Sequence, residues 1–378
     1  MIIRSFEDNN SNINNINYNE EEQAAVKIQS LGRGYLSRKN EARIETKVLS
    51  HNRQNKPVAC ITKFTGKLGY VTGFDADMKV KTAFTVASVK KEHARTKVMS
   101  NGTNLFMPQD IKKNHSDANP FVMINGGFFE MLKPKSKNKD GRCYGVKAGT
   151  PIGPTKTISD TKENGYNNFE KLQEDKQNAK SFSVEKGKSY DLNQGTLVPI
   201  PYEKEFATMK IAPDGITQLV PYEELKSLSD TNIKNENQNI ESCVSGAPLL
   251  IKNGKIQILE TQIKEERYQF PEDGICGPGQ LVHGSTQNPR SAIGYNDKEI
   301  KILYAVGTNH ERGDKIPGVK GLTFSELARV TDKVGMQEAM NLDGGGSCFI
   351  GFKTDKDEKQ FAFQNSREMS NYIKIEIT

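Results

Sequence analysis

Ten residues near the C-terminus limit what this chain can fold into: Met340 to Phe349, reading Met-Asn-Leu-Asp-Gly-Gly-Gly-Ser-Cys-Phe. An apolar-flanked run hands one carboxylate, Asp343, to Gly344, Gly345 and Gly346, where no Cβ obstructs close approach to the backbone. The run ends a strand and opens a tight turn, either to receive a ligand or simply to reverse the chain. It is not a P-loop, since no Gly-Lys-Ser/Thr follows, and it lacks the G-x-G-x-x-G spacing of a dinucleotide fingerprint.

A second constellation of the same kind lies upstream. Asn119-Pro120 introduces Phe-Val-Met-Ile-Asn-Gly-Gly-Phe-Phe-Glu, an apolar strand ending in Asn125, Gly126 and Gly127, then two aromatics and Glu130. Val58 to Phe64, Gly69 to Phe74 and Ala83 to Val89 before the first, and Ser181 to Val184 and Phe206 to Ile211 between the two, read as strands. Pro213-Asp214-Gly215 and Asn253-Gly254 mark hairpin turns. Residues 131–142, about 155–180 and 225–240 are polar and read as surface stretches. Residues 281–294 place His283 and Arg290 near an apolar strand. Thr323-Phe-Ser-Glu326 is a capping box, followed by apolar residues at helical spacing and a stop at Gly335. Tyr372 to Thr378 alternates as a closing strand. The expected class is α+β: a mixed, strand-rich sheet core with flanking helices, preceded by a basic amphipathic helix.

That preceding helix carries the electrostatic signal. The formal net charge is +6, and residues 24–57 hold Lys27, Arg33, Arg38, Lys39, Arg43, Lys47, Arg53 and Lys56 against Glu41 and Glu45, a surplus that accounts for all of it. A balanced remainder argues against broad phosphate-backbone binding, so no nucleic-acid partner is expected. Residues 1–20 are Asn-rich and too poor in apolar side chains to offset chain entropy. In residues 21–39, Ala25, Ile28, Leu31 and Tyr35 recur at three- and four-residue intervals beside Arg33, Arg38 and Lys39. A basic amphipathic helix suits an acidic, apolar-lined groove, a membrane surface, or its own domain. Ile28, Gln29, Arg33, Gly34 and Arg38 resemble an IQ motif, I-Q-x-x-x-R-G-x-x-x-R. The resemblance implies a calmodulin partner held by Ile28, Gln29, Leu31, Arg33, Gly34, Tyr35 and Arg38. Residues 21–56 are then the IQ helix with a charged linker, and 57–378 one domain.

The five cysteines, at 60, 143, 243, 276 and 348, form no C-x-x-C pair and are odd in number, so they read as reduced thiols rather than a metal site or disulfide framework. No metal or cofactor is expected. No stretch approaches the roughly 18 apolar residues of a membrane span, and the N-terminus does not read as a Sec signal.

Asn125-Gly-Gly-Phe-Phe, Ser245-Gly-Ala-Pro-Leu-Leu, Asn288-Pro-Arg-Ser-Ala-Ile-Gly, Gly321-Leu-Thr-Phe-Ser-Glu-Leu-Ala and Leu342-Asp-Gly-Gly-Gly-Ser occur in this order. Together they resemble the phosphodiester glycosidase family, that of the N-acetylglucosamine-1-phosphodiester α-N-acetylglucosaminidases. Arg367 followed by Asn371 resembles the family's closing element. The resemblance implies hydrolysis of a sugar-1-phosphodiester at its C1–O bond. A phosphate leaving group needs little protonation, so one carboxylate with cationic and amide clamps suffices where ordinary glycosidases use two carboxylates.

On that basis Asp343 is expected as nucleophile or general base, or else only as an orienting group. Arg290 is expected as a phosphate fork or a structural ion pair. Asn125 and the amides of Gly126, Gly127, Gly344, Gly345 and Gly346 would hold substrate oxygens, with Ser347 and Asn371 nearby. Arg367 is a second phosphate ligand or a strand-end contact; His283 and Glu130 are further proton-transfer candidates. One departure stands out. Where family members often carry Asp-Gly-Arg, this chain reads Val306-Gly307-Thr308, followed by His310, Glu311, Arg312 and Asp314. The expected function is a calmodulin-associated glycosyl-phosphodiester hydrolase. A cytosolic protein without a Sec signal is expected, with a bacterial effector that reaches a host cytosol by a non-Sec route as one form of that expectation. The alternatives are a catalytically altered domain that binds calmodulin or a glycan, and an enzyme acting on a phosphodiester-linked protein modification.

Overall fold

The computed structural model describes residues 43–69, 81–101, 104–114, 118–129, 149, 151–159, 165–168, 205–215, 217–259, 261, 268, 281, 283–307, 318–363 and 367–378. The tail and IQ segment, the strands expected at 70–74 and 181–184, Glu130 and residues 308–317 lie outside them.

Three antiparallel sheets form the body. The largest has eight strands: β1 (Arg43–His51), β2 (Pro57–Lys67), β3 (Lys81–Lys90), β12 (Glu299–Ala305), β11 (Arg290–Tyr295), β13 (Glu338–Asn341), β9 (Leu249–Lys252) and β10 (Lys255–Ile256), in that spatial order. The second contains β15 (Lys359–Phe363), β14 (Phe349–Lys353), β5 (Phe121–Asn125), β16 (Asn371–Ile377) and β4 (Ala94–Ser100). The third pairs β7 (Thr217–Pro221), β6 (Ala207–Ile211) and β8 (Ser242–Gly246). Four short α-helices accompany them among the described residues: α1 (Pro108–Asn114), α2 (Tyr222–Ser227), α3 (Asp230–Asn239) and α4 (Phe324–Lys333).

The core follows from strand periodicity. On β12, Ile300, Ile302 and Tyr304 face one side and join Ile124, Ile350, Ile373, Met209 and Val244 from the other two sheets. Leu303 and Ala305 point the opposite way and meet Leu327, Ala328 and Val330 of α4. A sheet covered on both faces needs strands that are apolar on both sides, as β12 is from Ile302 to Ala305; Lys301, buried on the same strand, donates its ammonium to Val334 O at 2.7 Å. The capping box of α4 forms as its sequence predicts: Thr323 Oγ1 accepts from Glu326 N at 3.2 Å, and Glu326 Oε2 accepts from Thr323 N at 2.7 Å. Gly335 ends the helix at a φ of 78°, which costs a glycine little.

Three expectations change. Arg43–His51, read as charged linker, is the edge strand of the large sheet, paired with β2 along its length. Its alternating charges hid it, yet Leu49 is fully buried, because an edge strand need bury only one end of one face. The polar stretch 225–240 folds instead as the end of α2 followed by α3, the latter N-capped by Ser229, whose hydroxyl accepts from Asn232 N at 3.3 Å. Strands outweigh helices more than an α+β reading anticipates. Cys60, Cys243 and Cys348 are free thiols.

Candidate active site

The chain crosses from the large sheet to the second sheet once near its C-terminus, through residues 342–348, between β13 and β14. The Asp-Gly-Gly-Gly-Ser run is this crossover. Gly345–Ser347 make a single 3-10 turn, and Gly345 sits at a φ of 60° with nothing within 4 Å of where a Cβ would stand. The turn is therefore open on its outer side.

Asp343 lies at the base of that turn, 9% exposed. Its N–H donates to Gly126 O at 3.0 Å. Its Oδ1 accepts from Gly344 N at 2.8 Å and its Oδ2 from Arg367 Nη2 at 3.1 Å. Burial pushes the carboxyl above the ordinary carboxylate range, opposed by the Arg367 charge and by hydrogen bonds from Ser347, Gly344 and Arg367. Arg367 is bound on several sides: Nε and Nη2 both donate to Ser347 Oγ, at 3.1 and 2.6 Å, and Nη2 also to Gly344 O at 3.1 Å. The guanidinium side chain keeps 34% of its surface exposed. Asp343, Ser347, Arg367 and the glycine turn thus come together in the fold.

Asn125 does not face a ligand. It is fully buried at the end of β5. Its amide donates to Asp343 O at 2.8 Å and Gly126 O at 3.3 Å, and its carbonyl accepts from Ser291 Oγ at 2.6 Å and Phe349 N at 3.3 Å. Two donors and two acceptors are all used, which is the whole capacity of the side chain. Asn125 ties β5, β11, the crossover and β14 into one knot, so it acts on Asp343 through the backbone and not on substrate.

Gly126 and Gly127 are likewise structural. Their N–H groups donate to Asn371 O and Asn371 Oδ1, both at 3.0 Å. A Cβ on Gly126 would overlap Asn371 Oδ1, and one on Gly127 the Ser245 carbonyl. These glycines let strands approach; they hold no amide toward substrate. The Gly344 and Gly345 N–H groups are spent on Asp343 Oδ1 and Pro289 O. Asn371 also donates to Ser370 Oγ at 2.7 Å.

Arg290 also departs from expectation. It is 4% exposed at the start of β11, with its guanidinium 4.2 Å from the Phe324 ring centroid. Nε donates to Leu322 O at 2.9 Å, and Nη2 to Thr286 O at 3.1 Å and to His283 O. The fork expected for phosphate clamps a loop instead. Burial lowers its pKa to about 10, with nearby Glu326 and Asp343 acting to raise it, so it remains a cation at neutral pH. His283, on that loop, has its pKa lowered by burial and by Arg290, and is neutral at pH 7. Two contributors had no role in the sequence reading. Ser291 donates to Asn125, and the buried Cys348 directs its Sγ toward Asp343 O at 3.8 Å. Ser291 stood in the Asn-Pro-Arg-Ser motif, but only tertiary contact reveals its partner.

A strand-rich body thus brings a buried carboxylate and a partly exposed arginine together at a sheet-to-sheet crossover. The phosphodiester glycosidase family model matches residues 118–375, more than half of the chain, and the protein belongs to that family. The IQ calmodulin-binding motif matches residues 22–41. No curated protein matches the chain in sequence. Among solved structures, the zebrafish N-acetylglucosamine-1-phosphodiester α-N-acetylglucosaminidase catalytic domain, auto-inhibited by its pro-peptide, is similar at 16% identity and a TM-score of 0.48, over 87% of each chain. A hypothetical protein from Synechocystis is similar at 14% identity and a TM-score of 0.41, over 84% of this chain and 62% of that one. A putative exported protein from Burkholderia pseudomallei is similar at 11% identity and 0.39, over 94% and 89%.

Proposed function

We propose that this domain hydrolyses a sugar-1-phosphodiester. Water adds to C1, the C1–O bond breaks, and a phosphomonoester leaves with the bonding electrons. Asp343 takes the proton from water, or attacks C1 itself. The observation that carries this reading is the Asp343–Arg367 pair beside the open face of Gly345: one carboxylate and one partly exposed cation converge where a ligand has room. Arg367, and not Arg290, is the phosphate ligand of this proposal, because Arg367 keeps 34% of its side chain exposed, whereas Arg290 is 4% exposed and clamps backbone carbonyls. With Nε and Nη2 of Arg367 held by Ser347, Gly344 and Asp343, its Nη1 is the donor offered to a phosphate oxygen. Ser347 and Gly344 fix the guanidinium, and His283, its pKa lowered by burial and by Arg290, stands on the loop that Arg290 clamps.

The IQ motif supports a calmodulin-associated enzyme, and such a motif is useful only where calmodulin is. We therefore propose a eukaryotic cytosol as the working compartment. The sugar and the group beyond the phosphate are left open. The test is a screen of sugar-1-phosphodiesters with and without calmodulin, read by phosphomonoester release. Wild-type turnover that vanishes in Asp343→Asn supports the assignment, and equal turnover in both proteins refutes it.

A second reading rests on Val306-Gly307-Thr308 standing where relatives often carry Asp-Gly-Arg. In it, the domain has lost an acid and a base and serves to bind calmodulin or a glycan. It predicts calmodulin binding without turnover on any sugar phosphodiester.

A further inference from the structure

The calmodulin motif and the globular body are separated by a single residue. The motif match ends at residue 41 and β1 begins at Arg43, so two Cα steps, at most about 7 Å, join them. Whatever seats on residues 22–41 is therefore held against the start of β1. In the strand order β1 is an outermost strand, with no strand on its other side among the described residues.

Among the described residues, that end of the sheet is rich in cations. Arg43 stands opposite Thr65, Glu45 opposite Lys63, and Lys67 opposite Lys81. Directly paired residues share a face, which puts Arg43, Lys63, Lys67 and Lys81 on one side of the β1–β2–β3 end, with Glu45 as the acidic residue among these described positions. Arg43, Lys63 and Lys81 are exposed, and Arg43 is ion-paired with Glu45. The same face runs inward to Ile61 and Ala87, which join the core shared with the other sheets. Its outer end therefore changes from apolar to cationic where the calmodulin motif departs.

We propose that this outer end of the β1–β2–β3 face is the second half of the calmodulin contact, a basic platform against which an acidic partner lies once seated on residues 22–41. The inference rests on the calmodulin reading above and extends it from a linear motif to a folded surface. Charge complementarity and continuity with the motif both select this occupant. Screening sets the reach: the Debye length is about 8 Å at physiological salt, so Arg43 lies within one length of the motif's end. Arg53 and Lys56, in the turn at the far end of the hairpin, lie eight residues along β1, about 27 Å away.

That distance supplies the control. Calmodulin is titrated, with calcium and with chelator, into the full chain, into a peptide of residues 22–41, and into two charge-reversed full chains, Arg43→Glu/Lys63→Glu and Arg53→Glu/Lys56→Glu. The full chain should bind about tenfold or more tighter than the peptide, mainly through a faster, salt-sensitive on-rate. The near-end double should lose that advantage, while the far-end double, with the same charge change, should keep most of it. Urea midpoints confirm folding, and Arg43→Gln/Lys63→Gln replaces the near-end double if reversal unfolds it. Equal affinities of peptide and full chain, or equal losses in the two doubles, overturn the proposal and leave the motif reading intact. Absence of binding by peptide and full chain alike overturns both.

Discussion

Asn125→Ala tests the claim that the site is held from behind by one amide. The side chain makes four hydrogen bonds, two donated and two accepted, in a fully buried position. Removing it leaves Gly126 O with the Asp343 N–H it already accepts, and Ser291 Oγ can turn toward Cys348. The Asp343 carbonyl, left with only a thiol at 3.8 Å, and the Phe349 N–H lose the partners that matter. Each stranded buried group costs roughly 1–3 kcal/mol, so the expected loss is about 2–6 kcal/mol. Against a typical domain stability of about 5–15 kcal/mol this is large. With a urea slope near 3 kcal/mol/M, the midpoint should fall by about 1–2 M. Asn125→Asp is nearly isosteric but replaces two N–H donors with a carboxylate facing two carbonyls. It should therefore be at least as damaging as Ala. A midpoint shift below about 0.3 M for Ala, or an Asp variant more stable than the Ala one, would refute the four-bond account and return Asn125 to the substrate side.

Five further variants have expected outcomes. Because burial raises the Asp343 pKa, its ionisation opposes folding: the stability it contributes is complete below about pH 3.8 and is lost as pH rises through the higher folded value. Asp343→Asn should thus gain stability relative to wild type as pH rises from 4 to 7, measured by urea melts across that range, while turnover disappears; a pH-independent difference contradicts the burial argument. Arg367→Gln should lower turnover about 10²–10³-fold, as loss of a positioned charge-stabilising donor does, whereas Arg290→Gln should act first on the urea midpoint by freeing the 283–286 loop. Gly127→Ala, whose Cβ would enter the Ser245 carbonyl, should destabilise by about 1–3 kcal/mol or more. Gly345→Ala faces open space and should cost only the left-handed backbone term, about 1–2 kcal/mol; a loss well above that, on the scale of a steric clash, would show that the turn is not open.

The local code of the site was readable before any fold. Apolar runs ending in Asn125-Gly-Gly and Leu342-Asp-Gly-Gly-Gly, and the capping box at Thr323, each act within a few residues, and strand ends, turn and helix start appear where that code puts them. Roles were less readable, for a physical reason. Asn125, Arg290 and Asn371 carry polar groups suited to substrate, and a sequence cannot say whether a backbone carbonyl or N–H will claim them first. In the fold, Leu322 O and Thr286 O claim Arg290, Gly127 N claims Asn371, and four neighbours claim Asn125. The edge strand β1 was missed because its charges suit solvent on one side, and only pairing with β2 discloses it.

Sequence by itself determined the family, the calmodulin motif, and the carboxylate set into glycine, since these depend on residue identity and spacing along the chain. Tertiary structure decided which polar groups are buried and satisfied inside the protein and which keep some surface. Burial makes an unsatisfied donor or acceptor costly, so the fold consumes Asn125 and buries Arg290 on backbone carbonyls, while Arg367, paired with Asp343 beside the open turn, keeps 34% of its side chain exposed.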